Sequence, residues 1–163
     1  MASTSKYTVP FRRKREGKTN YKKRLELVKS GLPRLVVRKT NTKVIAQIMQ
    51  FDPNGDKVIS YLVSTELKKH GWKHSCASIP AAYLTGLLLG KKTGKLADVI
   101  VDLGLQTPHK KGRLYAFIKG VVDAGIPVRA SEEVFPDEDR LLGKHINESV
   151  ATEVAKIKQK ILG

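Results

Sequence analysis

The residues best suited to chemistry are cations crowded near the start of the chain. Residues 12–24 carry eight Lys or Arg against one acid, Glu16, and begin with Arg-Arg-Lys-Arg. Each cation that neutralises a phosphate releases condensed counterions, so such a run binds polyanions. The rings of Tyr7, Phe11 and Tyr21 lie among these charges, and an aromatic ring stacks on an unpaired base for about 1–3 kcal/mol. The pattern predicts a nucleic-acid contact, with a solubilising tail or a localisation signal as the alternative.

The charge of the whole chain is distributed unevenly. Its 163 residues hold 31 Lys or Arg and 15 Asp or Glu, a net charge of +16. Residues 1–43 hold 14 of the cations and two of the acids, a net +12, which leaves +4 for residues 44–163. Fixing the backbone in one conformation costs roughly 1–2 kcal/mol per residue in entropy. Residues 1–24 have few apolar groups whose burial could offset that cost. We therefore expect a mobile arm that RNA orders and whose removal leaves the melting of the fold unchanged.

Several classes of protein are disfavoured by composition. No apolar run approaches the roughly 20 residues that span a bilayer, and the N-terminus lacks the apolar stretch of a secretory signal. One cysteine cannot form an internal disulfide. We expect a cytoplasmic protein with no membrane partner.

The residues that could form an enzymatic site do not have the spacing that such sites require. Gly86 and Gly90 are too close together for a nucleotide-binding P-loop, and the segment reads as the end of a helix with flanking lysines. His70, His74 and Cys76 have no second pair of ligands to complete a metal site. We therefore predict no catalytic residue, no metal, no cofactor and no small-molecule substrate.

Two groups of acidic residues bear on the possible functions. Asp98 and Asp102 are the only acids in the predicted fourth strand and residues 33–40 contain none, which disfavours a two-metal nuclease. Five acids lie between residues 132 and 139; we expect a solvated loop there, with a contact for a basic protein as the alternative.

The elements that position these residues follow from periodicity. Alternating and β-branched runs predict strands, and apolar residues at spacings of three and four predict helices. Ser78 is a predicted N-cap, followed by Pro80 in the first turn. The predicted strands are residues 33–38, 44–51, 57–63, 97–103 and 126–129, and the predicted helices run from Ser78 to Gly90, from Leu114 to Gly125 and from Val150 to Ile161.

This order predicts an α/β fold with one mixed five-stranded sheet. Short loops make the first three strands an antiparallel meander, and helix-linked strands should follow in parallel, with helices on the faces of the sheet. The topology is that of the ribonuclease-H-like fold, preceded by an extended basic arm. We expect an RNA-ordered arm at residues 1–31, a globular domain at 32–146 and an amphipathic C-terminal helix at 147–163.

Particular motifs resemble one family. These are RRKREGKTNY at residues 12–21, KSGLPRLVVRK at 29–39, AAYLTGLL at 81–88, GRLYA at 112–116, KGVVDAG at 119–125 and FPDEDR at 135–140. Together they resemble the 5S-rRNA-binding ribosomal protein numbered eighteen in the large-subunit series, in its archaeal type. The resemblance runs from about residue 12 to residue 146.

The resemblance implies a structural constituent of the large subunit in the central protuberance. Its partners would be 5S rRNA, large-subunit rRNA and neighbouring ribosomal proteins. Residues of the family's basic arm, of its first hairpin and of other basic positions are predicted to bind RNA. These residues are Arg12, Arg13, Lys14, Arg15, Lys18, Thr19, Asn20, Tyr21, Lys22, Lys23, Arg24, Arg38, Lys39, Asn41, Lys43, Lys91, Lys92, Lys110, Lys111 and Arg113. A non-ribosomal binder of structured RNA and a ribonuclease-H-like nuclease are the alternatives.

Overall fold

The computed structural model describes residues 8–94 and 96–162; Tyr7 and the rest of the first seven residues lie outside the described residues. The architecture is α/β, as predicted. The strands are β1 (Arg34–Lys39), β2 (Val44–Gln50), β3 (Lys57–Val63) and β4 (Ile100–Asp102). The α-helices are α1 (Arg12–Arg15), α2 (Tyr21–Lys29), α3 (Ile79–Thr93), α4 (Arg113–Asp123), α5 (Glu138–Leu142) and α6 (Glu148–Leu162), and 3-10 helices cover Ser64–His70 and Glu132–Val134.

The four strands form one mixed sheet in the order β3-β2-β1-β4. β1 pairs antiparallel with β2 and parallel with β4, and β2 pairs antiparallel with β3. Leu35 and Val37 are fully buried in the main core, and side chains alternate along a strand. Arg34 and Arg38 therefore lie on the other face of the sheet.

The predicted fifth strand is absent as a named element of the described residues. Residues 126–129 contribute one isolated parallel bridge, between Val128 and Val99. Pro127 has no N–H to donate, and Ile126 is buried in the core. Its apolar character thus reflects core packing, and the prediction of a strand there was wrong. β4 is likewise only three residues long, where seven were predicted.

Helices α3 and α4 pack side by side on one face of the sheet with small residues at their contact. A Cβ added to Gly86 would collide with the carbonyl oxygen of Phe117, and one added to Gly120 would collide with the carbonyl oxygen of Tyr83. Four residues after Gly86, a Cβ added to Gly90 would collide with the Cβ of Ala124. At Gly86 and Gly120 the two backbones meet closely because no side chain separates them. The predicted cap is confirmed: Ser78 Oγ accepts a hydrogen bond from the Ala81 N–H.

The sequence predicted an extended basic arm. The structure differs, because the basic segment, residues 12–24, is partly helical. α1 and α2 are helical, and Asn20 caps α2 by accepting a hydrogen bond from the Lys23 N–H at 3.1 Å. No residue of either helix is buried, so apolar burial does not explain the order. Polar contacts between α2 and the domain, which the sequence did not reveal, hold the segment instead.

β3 forms an edge of the sheet and carries exposed apolar side chains. Val58, Ile59 and Tyr61 are each close to half exposed, and so is Phe51 at the end of β2. The register between β2 and β3 shifts at Ile48/Met49, as it does at a β-bulge.

Candidate nucleic-acid interface

Apart from Arg38 in β1, the predicted RNA-binding residues fall into three groups in space. The first is the N-terminal segment, residues 12–24, on α1 and α2. The second joins the β1–β2 hairpin, residues 39–43, to the start of α4, residues 110–113. The third is Lys91 and Lys92 near the end of α3.

The four cations of α1 all face solvent. The residues that follow α1 make contacts back to it. Arg13 Nε donates a hydrogen bond to Thr19 Oγ1 at 2.9 Å. Glu16 pairs with Lys18, with 2.9 Å between Nζ and Oε2, and lies 3.6 Å from Arg12 Nε. One carboxylate thus serves two of the cations, and the segment keeps a large positive excess.

An aromatic pair connects α1 to α2. The rings of Phe11 and Tyr21 are 5.3 Å apart at their centroids and inclined at 56°. Phe11 is 73% exposed, so most of its ring is open to a stacking partner. The tilted geometry is a favourable one for two rings and adds a contact between the start of α1 and α2.

A chain of alternating charges, here called the Arg–Asp ladder, attaches α2 to the sheet. Arg24 Nη2 lies 2.7 Å from Asp56 Oδ2, and Arg34 Nη2 lies 2.5 Å from the same oxygen. Arg34 Nη1 lies 3.4 Å from Asp102 Oδ2, and Arg38 Nη2 lies 3.2 Å from Asp102 Oδ1. Buried charges require such partners. These five side chains therefore join α2 to β1, to β4 and to the turn between β2 and β3.

Sequence reasoning missed Arg34 and Asp56. The Arg34 side chain is only 3% exposed although it lies in a run of β-branched residues. The signal was present: an arginine inside an apolar strand needs a carboxylate, and few acids precede it in the chain. The sequence did not indicate which acid, because Asp56 and Asp102 lie 22 and 68 residues away.

Arg38 was predicted to bind RNA, and its guanidinium is largely engaged within the protein. Its Nη1 donates to the carbonyl oxygens of Val37 and Asp102, at 2.8 and 2.6 Å. The Gly104 N–H donates to Asp102 Oδ1 at 2.8 Å. Arg38 therefore positions the loop after β4, with 39% of its side chain still exposed.

The second group is assembled by hydrogen bonds between the hairpin and the approach to α4. Arg113 Nη1 donates to the carbonyl oxygens of Thr40 and Ala77, at 3.3 and 3.0 Å. The Lys39 N–H donates to Gln106 Oε1 at 2.8 Å. A cavity of about 350 Å³ opens beside this junction, and its lining includes Lys39, Lys110 and, among residues the sequence did not single out, His109 and Arg140. Asn41 is exposed and Lys43 half-buried in the same hairpin.

The third group is separate from the second. Lys91 comes twelve positions after Ile79, which lines that cavity, and so lies roughly 18 Å further along α3. Lys91 Nζ donates to the carbonyl oxygen of Leu162, and Lys92 Nζ donates to that of Tyr61. The structure thus gives these two lysines contacts within the fold and does not bring them to the other cations.

The acidic loop is partly neutralised by lysines. Lys111 Nζ lies 2.9 Å from Asp137 Oδ1, and this hydrogen bond lowers the pKa of the Asp137 carboxyl. Lys144 Nζ lies 2.7 Å from Asp139 Oδ1, which raises the pKa of the Lys144 ammonium. Lys111, predicted to bind RNA, is therefore shared with an acid of this loop.

The residues that could serve metal or thiol chemistry have surroundings unsuited to it. Cys76 is buried in the main core. His74 packs edge-on against Trp72 and lies 3.4 Å from Glu153. Within residues 8–94 and 96–162, no three His, Cys, Asp or Glu converge as a metal site. Over the same ranges, no helix has both the length and the hydrophobicity to cross a membrane.

Known proteins resemble this chain along most of its length. The profile of the family described as "Ribosomal large subunit proteins 60S L5, and 50S L18" matches residues 5–99. The "Large ribosomal subunit protein uL18" of Korarchaeum cryptofilum is 51% identical over 148 residues, covering 90% of this chain and 76% of the relative. The protein of the same name from Methanothrix thermoacetophila is 44% identical over 169 aligned positions, covering both chains completely.

These matches define the class first: the chain is a structural protein of the large ribosomal subunit in the cytoplasm, and not an enzyme. Within that class it belongs to the uL18 family, the family of 60S L5 and 50S L18, and is of the archaeal type. The predicted family, the absence of an enzymatic role and the ribosomal location are confirmed by these relatives.

Proposed function

We propose that this chain binds 5S rRNA and helps to attach it to large-subunit rRNA in the central protuberance. The observation that carries the proposal is the way the basic segment is held. The Arg–Asp ladder joins α2 to the sheet through Arg24, while the cations of α1 remain exposed. A folded domain thereby presents a fixed strip of positive charge to a folded RNA.

The segment supplies affinity and the shape of the domain supplies selectivity. Phosphate contacts position a protein on RNA without reading sequence, and structured RNA is recognised largely by shape. The cations of residues 12–24 and the hairpin cations Lys39 and Lys43 would contact phosphates. Phe11 would offer its exposed ring to an unpaired base.

The remaining predicted residues would act in different ways. Lys110 is exposed beside the cavity at the start of α4 and is free to reach RNA. Arg38 and Arg113 would act chiefly by shaping the surface, because their guanidinium groups bind backbone carbonyls. Lys91 and Lys92 would contact a separate stretch of rRNA or a neighbouring ribosomal protein.

We also propose that the fold has the ribonuclease-H-like topology without its chemistry. The strand order β3-β2-β1-β4 and the bridge from Val128 to Val99 support that topology. Asp102, at the end of β4, has each carboxylate oxygen beside an arginine. A fold is often shared by proteins of unrelated function.

Filter binding over a range of salt concentrations tests the proposal. We expect tight binding to 5S rRNA, with a slope of log K against log salt that corresponds to at least about three phosphates. An unrelated structured RNA such as a tRNA should bind much more weakly. Equal affinity for both RNAs would overturn the specific role and favour a general binder of structured RNA.

A matched pair of variants tests the location of the contact. The triple variant Arg12→Ala, Lys14→Ala, Arg15→Ala removes three charges from α1, and Lys156→Ala, Lys158→Ala, Lys160→Ala removes three from α6. We expect the first to lower the affinity and the salt slope, and the second to change both only slightly. Equal losses would show that net charge alone determines binding.

A further inference from the structure

A small polar cleft separates the basic segment from the end of β4. Its volume is about 130 Å³, and its walls include Arg13, Lys18, Lys23, Arg38 and Gly104. A single water needs roughly 10–15 Å³ on the same measure, so the cleft has room for several waters or for one larger anion. Leu27 and Leu105 are the apolar side chains in its lining.

Positive charge in this cleft exceeds the negative charge. The one carboxylate in its lining is Asp102, whose oxygens are occupied by Arg34, by Arg38 and by the Gly104 N–H. The charge of Asp102 is thus neutralised within the Arg–Asp ladder. The other cations that line the cleft leave it with a net positive charge.

Two of the lining cations are not paired with a carboxylate among the described residues. Arg13 donates through Nε to the neutral hydroxyl of Thr19, which leaves its terminal nitrogens free for an anion. Lys23 Nζ has only a long contact, 3.5 Å, to the carbonyl oxygen of Gly104. They come from the two helices of the segment, α1 and α2, and line one cleft.

The backbone at Gly104 shapes the floor of the cleft. Gly104 has φ +62°, and a Cβ there would lie 2.9 Å from the guanidinium carbon of Arg38. Only a residue without a side chain lets Arg38 lie against this loop while both remain beside Asp102.

We propose that this cleft binds one phosphate of the RNA backbone, held between Arg13 and Lys23. The inference rests on the proposed function and adds a specific subsite to it. The ligand is a phosphodiester because the cleft combines a fork-shaped guanidinium with a point charge, the arrangement that suits phosphate oxygens. A phosphate held there bridges α1, α2 and the end of β4, so RNA binding fixes the segment on the domain.

The test compares neighbouring lysines of one helix in the full chain. Lys23→Ala removes a wall of the cleft, whereas Lys22→Ala removes the same charge from an exposed position that does not line it. We expect Lys23→Ala to weaken 5S rRNA binding about ten-fold or more and to reduce the salt slope by about 0.7–0.9. Arg13→Ala against Arg15→Ala should show the same contrast. Equal effects within both pairs would overturn the subsite while leaving the proposed function intact.

A second readout does not depend on RNA. Inorganic phosphate titrated into the free protein should shift the amide resonances of Thr19 and Gly104 in the wild type, and not in Lys23→Ala. An absence of these shifts in the wild type would overturn the subsite. Failure of the wild type to prefer 5S rRNA, with these shifts present, would overturn the proposed function instead.

Discussion

Arg24 in α2 and Asp56 in the turn between β2 and β3 form an ion pair, with 2.7 Å between Nη2 and Oδ2. The same oxygen of Asp56 accepts from Arg34, which is almost fully buried. One carboxylate therefore joins an exposed helix to the interior of the sheet. The stability of the domain and the placement of the basic segment depend on the same side chain.

Replacing Asp56 should destabilise the domain more than replacing another acid of the same turn. Asp56→Ala leaves the buried Arg34 without its shortest ionic contact, and breaking a buried pair costs about 3–5 kcal/mol. Urea unfolding followed by the fluorescence of Trp72, the single and buried tryptophan, measures the loss. Asp52→Ala is the control: its partner Lys57 is exposed and its other contact is one hydrogen bond from the Asn54 N–H, so the midpoint should move much less. Equal midpoints for both variants would contradict the ladder's role.

Deleting the basic segment together with the first turn of α2 should lower the melting temperature, contrary to the expectation from sequence. Deletion of residues 1–24 takes away Arg24 and Lys23, which contact Asp56 and Gly104. We expect a decrease of about 2–4 °C for each kcal/mol lost. Deletion of residues 1–11, which keeps both contacts, should leave calorimetric melting unchanged. If the longer deletion also melts like the full chain, the contacts of Lys23 and Arg24 with the domain contribute no stability.

A methyl group at the contact of α3 and α4 should be costly. Gly86→Ala places a Cβ against the carbonyl oxygen of Phe117, and overpacking of this kind costs about 1–3 kcal/mol. Elsewhere in a helix the same substitution stabilises by about 0.5–1 kcal/mol. The urea midpoint of Gly86→Ala, compared with exposed Gln159→Ala in α6, measures the effect. A midpoint equal to that of the wild type would mean that the helices separate easily.

Alkaline pH should destabilise the fold through Tyr83. Burial and the hydrogen bond from its hydroxyl to Asp123 raise the pKa of Tyr83 above its ordinary value of about 10. Above that pH the unfolded chain loses the phenolic proton before the folded protein does, so the free energy of unfolding falls; below it this contribution is fully present. Melting temperatures from pH 8 to 11 should decline less steeply in Tyr83→Phe than in the control Tyr61→Phe. Identical slopes would refute this origin.

Arg113 and Lys110 should separate structural from RNA-binding cations. Arg113→Ala removes hydrogen bonds to Thr40 and Ala77 and should cost about 1–3 kcal/mol of stability. Lys110→Ala should alter stability by less than about 0.5 kcal/mol and still weaken RNA binding. Denaturation and filter binding of both variants measure the contrast. A stable Arg113→Ala protein would show that its hydrogen bonds do not hold the hairpin.

Local features of the fold followed from sequence, and long-range ones did not. Residues 57–63 were predicted as a strand and are β3, because β-branched side chains and the preceding Asn-Gly turn act within a few residues. The Ser78 cap was predicted for the same reason. Residues 126–129 were not a strand, because burial of Ile126 and not a hydrogen-bonded ladder explains their apolar character.

The sequence predicted which residue types make up the candidate site, but not how those residues are arranged in space. The cations were evident, but nothing local distinguishes Lys22, which is open to solvent, from Lys23, which reaches Gly104. The contact that attaches α2 to the sheet depends on Asp56, which lies 32 residues from Arg24. Pairings at such separations depend on the folded sheet, which periodicity does not encode.

The exposed edge at β3 has a consequence for the protein before assembly. Unpaired strands with apolar side chains such as Val58, Ile59 and Tyr61 are templates for pairing with other chains. A β-bulge and the lysine that donates to the Tyr61 carbonyl blunt that edge only in part. We therefore expect copies without bound RNA to self-associate through this edge.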